Sequence, residues 1–468
     1  MSSDPSTPTT EQVTRKSFPE APSFREAATW RRLWREVARR LWLAAEVGVW
    51  LLVYLLVLAY STPPPEGIVT RLGAITAPYT FDFVTWTAAS LLGKLDAELF
   101  GVHPYLDEAR RSQYVREYLD LVNQIHSLEA QVDQLYTDPD VADPEAASAD
   151  LRAQRDALRE EQRRRQPLAE SIIEGQIASV LRDEGMAFLG QVLPPVAMHF
   201  AELPNILVIS PRDHIDTAYT QGLAPGIPVD VKEQIEARAD AALDMSSLVV
   251  SIGGMALYPS MVIETGWWYS AFEVSAHEWT HHWFFLFPIG LNYMGPHPET
   301  RAINETTTSV IGHVIGRKVI ERFYPELVES LPPLPWEVEP PPPPDPNAPP
   351  PAFDYRAEMH TTRVTVDRLL AEGRVEAAEA YMEERRRVFV ANGHNIRKLN
   401  QAYFAFYGGY QSAPGGAAGE DPIGPAVREI YALAPSLVDF YWRMAGVVTM
   451  ADLERALERS RAEWGAGR

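Results

Sequence analysis

The chain has 468 residues, a formal charge of −21 and a pI of about 5.0, and it is long enough for more than one domain. The acidic balance argues against nucleic-acid binding, because contacts with phosphates require a basic face. Cysteine is absent, which excludes disulfides, thiol catalysis and cysteine-ligated zinc sites.

The amino-terminal residues predict a membrane anchor. Residues 1–40 begin with a disordered stretch rich in Ser, Thr and Pro and end with a cluster of arginines. Leu41–Tyr60 is apolar apart from Glu46, and ~20 helical residues span the ~30 Å core of a bilayer. The positive-inside rule then places the amino terminus in the cytoplasm and the rest of the chain outside. A cleaved signal peptide is the alternative, although its apolar core should be shorter.

Residues 61–170 are predicted to be a helical region with a coiled-coil-like hairpin. Phe81–Leu99 has the pattern of an amphipathic helix. From Tyr114 to Leu135, apolar residues alternate spacings of four and three, which is a heptad seam. Prolines interrupt this pattern, and the charged helix Leu151–Arg165 follows. The simplest arrangement is an antiparallel hairpin within the chain; a homo-oligomer formed through this segment is the alternative.

Residues 171–330 are predicted to be an α+β catalytic domain. A helix, Ile172–Leu189, leads into it after Pro167. Leu203–Ser210 and Ser246–Val262 are rich in strand-forming residues, and the amphipathic run Val229–Leu243 lies between them. Pro259 interrupts the second run, which indicates a strand at the edge of a sheet.

The segment Val274–Trp283 contains the motif His-Glu-x-x-His. On a helix, His277 and His281 project from one face and can bind one Zn²⁺, while Glu278 lies where it can take a proton from water. A catalytic zinc needs a third protein ligand and an open position. A second predicted helix follows a turn rich in Pro and Gly, and Glu299 and Glu305 on it are the candidates.

The Asn304-Glu305 pair on the helix after the motif resembles the gluzincins, the thermolysin-like and aminopeptidase-like zinc peptidases. The resemblance covers about residues 245–320. It implies that His277, His281 and Glu305 bind zinc, that Glu278 is the general base, and that a peptide substrate pairs with an edge strand.

Two positions depart from the gluzincin pattern. Ser309 stands where thermolysin-like enzymes often have an Asp that orients a ligand histidine, and Glu273 is a candidate replacement. Gly254-Met255 is similar to the aminopeptidase motif that binds the substrate amino terminus, but its acid is missing, and Glu264 is a possible substitute. Two further histidines, His282 and His313, are expected to pack rather than to bind metal.

After a proline-rich linker at 331–352, residues 353–468 are predicted to form a helical domain that completes the active-site cleft. Pro435 should divide the helical run 426–445. The segment His394–Tyr410 resembles a family of predicted bacterial membrane-associated aminopeptidases. Gluzincins use a Tyr or His from this region to stabilise the oxyanion, and the candidates are Tyr410, which we favour, and His394, Tyr403 and Tyr407.

We therefore expect a mostly helical α+β protein that acts as a zinc-dependent metallopeptidase. It would be anchored by one helix in the bacterial cytoplasmic membrane, with its catalytic domain on the extracytoplasmic side. The alternative is a non-catalytic anchored scaffold whose zinc site is structural or degenerate. Hydrolysis of a lipid or glycan bond by the same metal site is also compatible with the sequence.

Overall fold

The computed structural model describes residues 38–53, 55, 67–100, 105–137, 141–337, 353–412 and 416–465. The chain divides into two units, Met1–Gly67 and Ile68–Arg468. In the first, residues 38–53 form a helix, α1. The predicted span Leu41–Tyr60 therefore lies only partly within the described residues, and the predicted tail and proline-rich linker lie mostly outside them. No helix in the described ranges combines the length and hydropathy needed to cross a bilayer.

The second unit is mostly helical with small sheets, as the sequence predicts. Its helices are α2 (Ile68–Thr76), α3 (Phe83–Phe100), α4 (Glu108–Thr137), α5 (Pro144–Ala147), α6 (Ala149–Asp183), α7 (Val229–Leu243), α8 (Trp268–Phe284), α9 (Pro288–Leu291), α10 (Pro298–Phe323), α11 (Tyr355–Ala371), α12 (Val375–Ala391), α13 (Gln401–Tyr407), α14 (Ile423–Leu433), α15 (Leu437–Ala445) and α16 (Met450–Trp464). Its strands are β1 (Ala187–Phe188), β2 (Gln191–Val192), β3 (Met198–Ala201), β4 (Asn205–Ser210), β5 (Tyr219–Leu223), β6 (Ser246–Ser251), β7 (Gly254–Met255) and β8 (Ser260–Ile263).

The predicted hairpin is formed within the chain by α4 and α6. The two helices run antiparallel: the Tyr114 hydroxyl near the start of α4 donates to the carbonyl of Arg165, and Gln176 further along α6 reaches back to Glu108 at 2.7 Å. The seam residues Tyr118 and Ile125 are fully buried. The heptad pattern therefore results from the packing of α4 against α6.

The predicted break near Pro167 is wrong, because α6 continues through this proline from Ala149 to Asp183. An internal proline costs a helix about 3 kcal/mol. The turns that follow bury Ile172, Ile173 and Ile177, and each such side chain contributes ~1.5–3 kcal/mol. Packing therefore outweighs the local cost of the proline.

An antiparallel sheet in the order β5-β4-β6 joins the middle of the chain to its carboxyl-terminal helices. Side chains alternate along its strands, as the two-residue period requires. Leu207 and Val249 point into a cluster with α2 and α7, while Val208 and Leu248 point into a cluster with α11, α12 and α13. Helices α11, α12 and α13 are thus packed directly on this sheet.

A second sheet, in the order β3-β8-β7, lies beside α8. The outer edge of β3 is covered by side chains of α6: Glu174 accepts from the backbone N–H of Met198 at 2.7 Å, and Glu170 accepts from that of Phe200 at 2.8 Å. Lys94 lies between the two carboxylates, at 2.6 and 2.7 Å. The other outer strand is β7, and no strand of the described chain lies beyond it.

The main core surrounds α8 and α10 and includes residues of α4, α6, α14, α15 and α16. As predicted, the helical run around Pro435 is divided, since α14 ends at Leu433 and α15 begins at Leu437. The two central helices therefore have a fixed position relative to each other and to the second sheet.

Candidate metal centre

Close packing of α8 against α10 brings the motif histidines to Glu305. A Cβ atom at Gly312 would lie 2.9 Å from the carbonyl oxygen of Glu273 and 3.0 Å from Cβ of His277. A larger residue at this position would push the helices apart. Glycine there allows α10 to lie against the backbone of α8 on the face that carries the histidines.

Three side chains converge on one point with the geometry of a tetrahedral metal site. Nε2 of His277 lies 3.1 Å from Nε2 of His281, and Oε2 of Glu305 lies 3.4 and 3.6 Å from these two nitrogens. Bonds of about 2.1 Å to a tetrahedral zinc would separate ligand atoms by roughly 3.4 Å. These residues form a group that could hold a metal ion, and Glu305, rather than Glu299, completes it.

The carboxylate of Glu305 gives a second indication that this group of residues suits a cation. Its Oε2 atom is buried and has no hydrogen-bond donor, whereas its Oε1 atom accepts a hydrogen bond from the Tyr293 hydroxyl. Although burial opposes ionisation, His281 and His277 hold the pKa of Glu305 well below its usual value. An ionised oxygen without a donor is costly in a protein interior. The donor set of two imidazoles and one carboxylate suits Zn²⁺, so the residues present fit the ion.

Glu278 lies beside this group and close to the backbone of Gly254 in the outer strand. It is 5% exposed, and burial raises the pKa of its carboxyl above the usual value. A Cβ atom at Gly254 would lie only 2.2 Å from Oε1 of Glu278. Gly254 and Met255 form β7 and line the same cleft as Glu278.

The residue that contacts the outer nitrogen of His277 differs from the one proposed from sequence. Ser309 Oγ lies 3.5 Å from Nδ1 of His277. Glu273 instead lies 3.2 Å from Nδ1 of His313, and burial raises the pKa of Glu273 to about 7. Glu273 is one turn from His277 along α8, but its carboxylate is directed to α10. Ser309, at the position where thermolysin-like enzymes often have an Asp, is thus the group near Nδ1 of His277.

Other sequence candidates have structural partners. Glu264 contacts His126, Arg159 and Gln162 of the helical hairpin and does not line the cleft. His282 contacts the carbonyl of Leu257 through Nε2 at 2.7 Å, as expected for a packing residue. Asn304 donates to the carbonyl of Ile289 at 3.3 Å and also lines the cleft.

Among the four residues considered for oxyanion stabilisation, Tyr410 is the one that lines the cleft. Thr306, next to Glu305, fixes this segment: its hydroxyl donates to the carbonyl of Gly409 at 3.4 Å and lies 3.2 Å from the backbone nitrogen of Gln411. The Tyr410 residue is 39% exposed, but desolvation of its hydroxyl within the cleft, and then the carboxylate of Glu305, raise the pKa of that hydroxyl well above its usual value. The group therefore keeps its proton.

The other three candidates are held by neighbouring aromatic residues outside the cleft lining. The Tyr403 hydroxyl lies 2.7 Å from that of Tyr355, the ring of Tyr407 packs on Tyr403, and His394 packs on Tyr355.

Two functional candidates, Tyr293 and Arg301, were missed from the sequence. Tyr293 comes from the turn between α9 and α10, and its hydroxyl donates to Glu305. Arg301 lies one turn before Glu305 on α10 and is hydrogen bonded to Tyr293 and to Thr217, the latter at 2.8 Å. The sequence did carry one signal for Arg301: it stands four positions before Glu305, and residues with this spacing are neighbours on a helix surface.

The three residues that could hold a metal open into a cleft of about 1550 Å³. The surrounding side chains are mainly apolar and come from the turn after β2, the two sheets, α8 to α10, the segment around Tyr410, and α11, α14 and α16. Comparisons with protein-family models, curated proteins and solved structures found no match for the chain. The resemblance to gluzincins therefore remains a prediction from the motif residues.

Proposed function

We propose that the protein is a zinc-dependent metallopeptidase. The observation that carries this proposal is the tetrahedral convergence of His277, His281 and Glu305 beside a buried carboxylate, Glu278, in an open cleft. In such a site, bound zinc supplies Lewis acidity to the scissile carbonyl and to the attacking water. The remaining chemistry is assigned to side chains of the chain.

Glu278 is the proposed general base. Its carboxylate takes the proton from the attacking water and then gives that proton to the leaving amine, so the carboxylate is regenerated when the C–N bond breaks. The hydroxyl of Tyr410 is the proposed donor to the oxyanion that forms on the carbonyl oxygen. Its place in the cleft lining, and the hydrogen bonds that tie the neighbouring Gly409 and Gln411 to Thr306, support this role.

The outer strand β7 is the proposed binding edge for the peptide backbone. It lies in the cleft wall next to Glu278, and a peptide that pairs with it would be held by main-chain hydrogen bonds. This mode of binding favours a peptide over a lipid or glycan. We also propose that Leu41–Tyr60 anchors the chain, with the catalytic unit on the extracytoplasmic side; the apolar run and the preceding arginines support this orientation.

The decisive variant is Glu278→Gln, tested in the zinc-loaded full chain with a library of peptides. Hydrolysis should fall by about 10²–10⁴-fold, the usual contribution of a general base, while the zinc content stays at the wild-type value. Glu321→Gln, on an exposed part of α10, is the matched control and should retain activity. If Glu278→Gln hydrolyses peptides as fast as the wild type, the mechanism is refuted. If the wild type binds zinc but cleaves no peptide, the scaffold alternative is favoured.

A further inference from the structure

Arg301 is a cation in the cleft wall close to the proposed reaction centre. It lies on α10 four positions before Glu305, and residues with this spacing are neighbours on a helix surface. Its Nη1 donates to Thr217 at 2.8 Å, and the guanidinium lies 5.7 Å from the centre of the Phe406 ring. These contacts fix the position of the guanidinium but use only part of its hydrogen-bonding capacity.

Within the described residues, the guanidinium of Arg301 forms no ion pair with a carboxylate. The hydroxyl of Tyr293 accepts from Arg301 and donates to Glu305, so the charges of Arg301 and Glu305 attract each other without a direct hydrogen bond. The other arginine in the cleft wall, Arg363, is paired with Asp367 at 2.8 Å. Removing a charge from water without a directly bonded counter-ion is costly. The carboxylate of a ligand could supply such a partner through charge-assisted hydrogen bonds.

When a metal ion is bound, the oxygens of Glu305 do not serve as the directly bonded counter-ion of Arg301. Oε2 faces the two imidazoles, and Oε1 is held by Tyr293. A ligand carboxylate entering the cleft would therefore find an arginine one helical turn from the metal-binding residues. The planar guanidinium matches a carboxylate through two parallel hydrogen bonds.

We propose that Arg301 binds a carboxylate of the substrate close to the scissile bond, so that the cleft selects peptides with an anionic group at that position. This inference rests on the proposed function, because it names the substrate class of the same site. The carboxylate has two possible sources: the free carboxyl terminus of a peptide, or the side chain of Asp or Glu. Their shared chemistry is what the guanidinium recognises.

The test uses the full chain loaded with zinc and one peptide sequence in matched forms. The forms are a free carboxyl terminus against an amidated one, and Glu against Gln at each position flanking the cleaved bond in the amidated peptide. The wild type should prefer one of the anionic forms by roughly 10- to 100-fold in kcat/KM, the range expected for a charge-assisted hydrogen bond. The anionic form with the higher kcat/KM identifies the source of the carboxylate.

Arg301→Gln should abolish this preference mainly through KM, and Arg317→Gln is the matched control. Arg317 lies on the same helix, away from the cleft, and is paired with Glu321. If Arg301→Gln does not fold, Arg301→Lys replaces it. Lysine keeps the charge but not the paired hydrogen bonds, so the preference should weaken severalfold. An unchanged preference in the folded variant, or no preference in the wild type, overturns the inference.

A binding measurement separates this inference from the proposed function. The Glu278→Gln chain, loaded with zinc, is titrated calorimetrically with the anionic and neutral peptides, with and without Arg301→Gln. Arg301-dependent binding without hydrolysis by the wild type would refute the peptidase proposal and support the anion site. Hydrolysis with equal binding of both peptides would support the peptidase proposal and overturn the anion site.

Discussion

Gly254→Ala tests whether the outer strand positions the general base. The added Cβ atom would lie 2.2 Å from Oε1, 2.8 Å from Cδ and 2.9 Å from Cγ of Glu278. Ordinary van der Waals contact begins at 3.4 Å, so the carboxylate must retreat by about 1.2 Å, the difference between 3.4 Å and 2.2 Å. The obstruction is the end of a flexible side chain, so Glu278 moves and the backbone does not.

A displacement of about 1 Å in a reacting group can cost about 10²-fold in rate. We therefore expect kcat/KM of Gly254→Ala to fall about 100-fold on the peptide that the wild type cleaves best. Zinc content, measured by elemental analysis, should remain at the wild-type value because the atoms nearest the added Cβ all belong to Glu278 and not to the proposed metal ligands. The thermal midpoint should change little, since no backbone has to shift.

The neighbouring glycine provides the control. A Cβ atom at Gly253 would meet no atom within 4 Å, so Gly253→Ala should retain wild-type activity. Full activity of Gly254→Ala would show that Glu278 does not depend on this contact. Equal losses in the two variants would point to a general effect on the strand, and the positioning argument would fail.

Three further predictions concern stability and metal binding. Gly312→Ala should lower the free energy of unfolding by about 1–3 kcal/mol in urea, because it overpacks the contact between α8 and α10, whereas Gly175→Ala, in open space on α6, should be neutral or stabilising. Burial opposes ionisation of Glu170, but Lys94 and His199 lower its pKa to about 2. The resulting stability is present above the ordinary pKa of 4.5 and is lost as the pH falls toward 2, so Glu170→Gln should show a smaller loss than the wild type between about pH 5 and pH 3; an equal loss would contradict this assignment. Zinc at 100 times its Kd should stabilise the wild type by about 2.7 kcal/mol and a chelator should reverse this in a thermal melt, while a zinc response in Glu305→Ala would argue against Glu305 as a ligand.

Local sequence patterns predicted those elements for which the local preference and the tertiary packing favour the same structure. The amphipathic run at residues 229–243 forms a helix with the predicted bounds, and the spacing of His277 and His281 places both on one helix face. The choice of Glu305 came from the resemblance of the Asn-Glu pair to gluzincins, and α10 brings this residue to His277 and His281. The helix and the histidine pair could be predicted because they depend only on helical periodicity.

The errors occur where tertiary contacts decide between local alternatives. Pro167 is a helix breaker in isolation, but the isoleucines that follow it are buried against the rest of the core. Glu273 has the spacing to support His277, yet its carboxylate is directed to His313 on α10. Tyr293 lies in an irregular turn, and turns have no periodic pattern of apolar residues from which side-chain directions can be predicted. Its contact with Glu305 could therefore not be predicted.

The covering of β3 by α6 limits how copies of this protein can associate. Exposed sheet edges are the usual starting points for strand exchange and aggregation in concentrated solution. Glu170 and Glu174 occupy the backbone donors that a second molecule would need on the β3 side. A second copy is therefore blocked from pairing with β3, and among the described strands of this sheet β7 is the one at which an extended chain could still add.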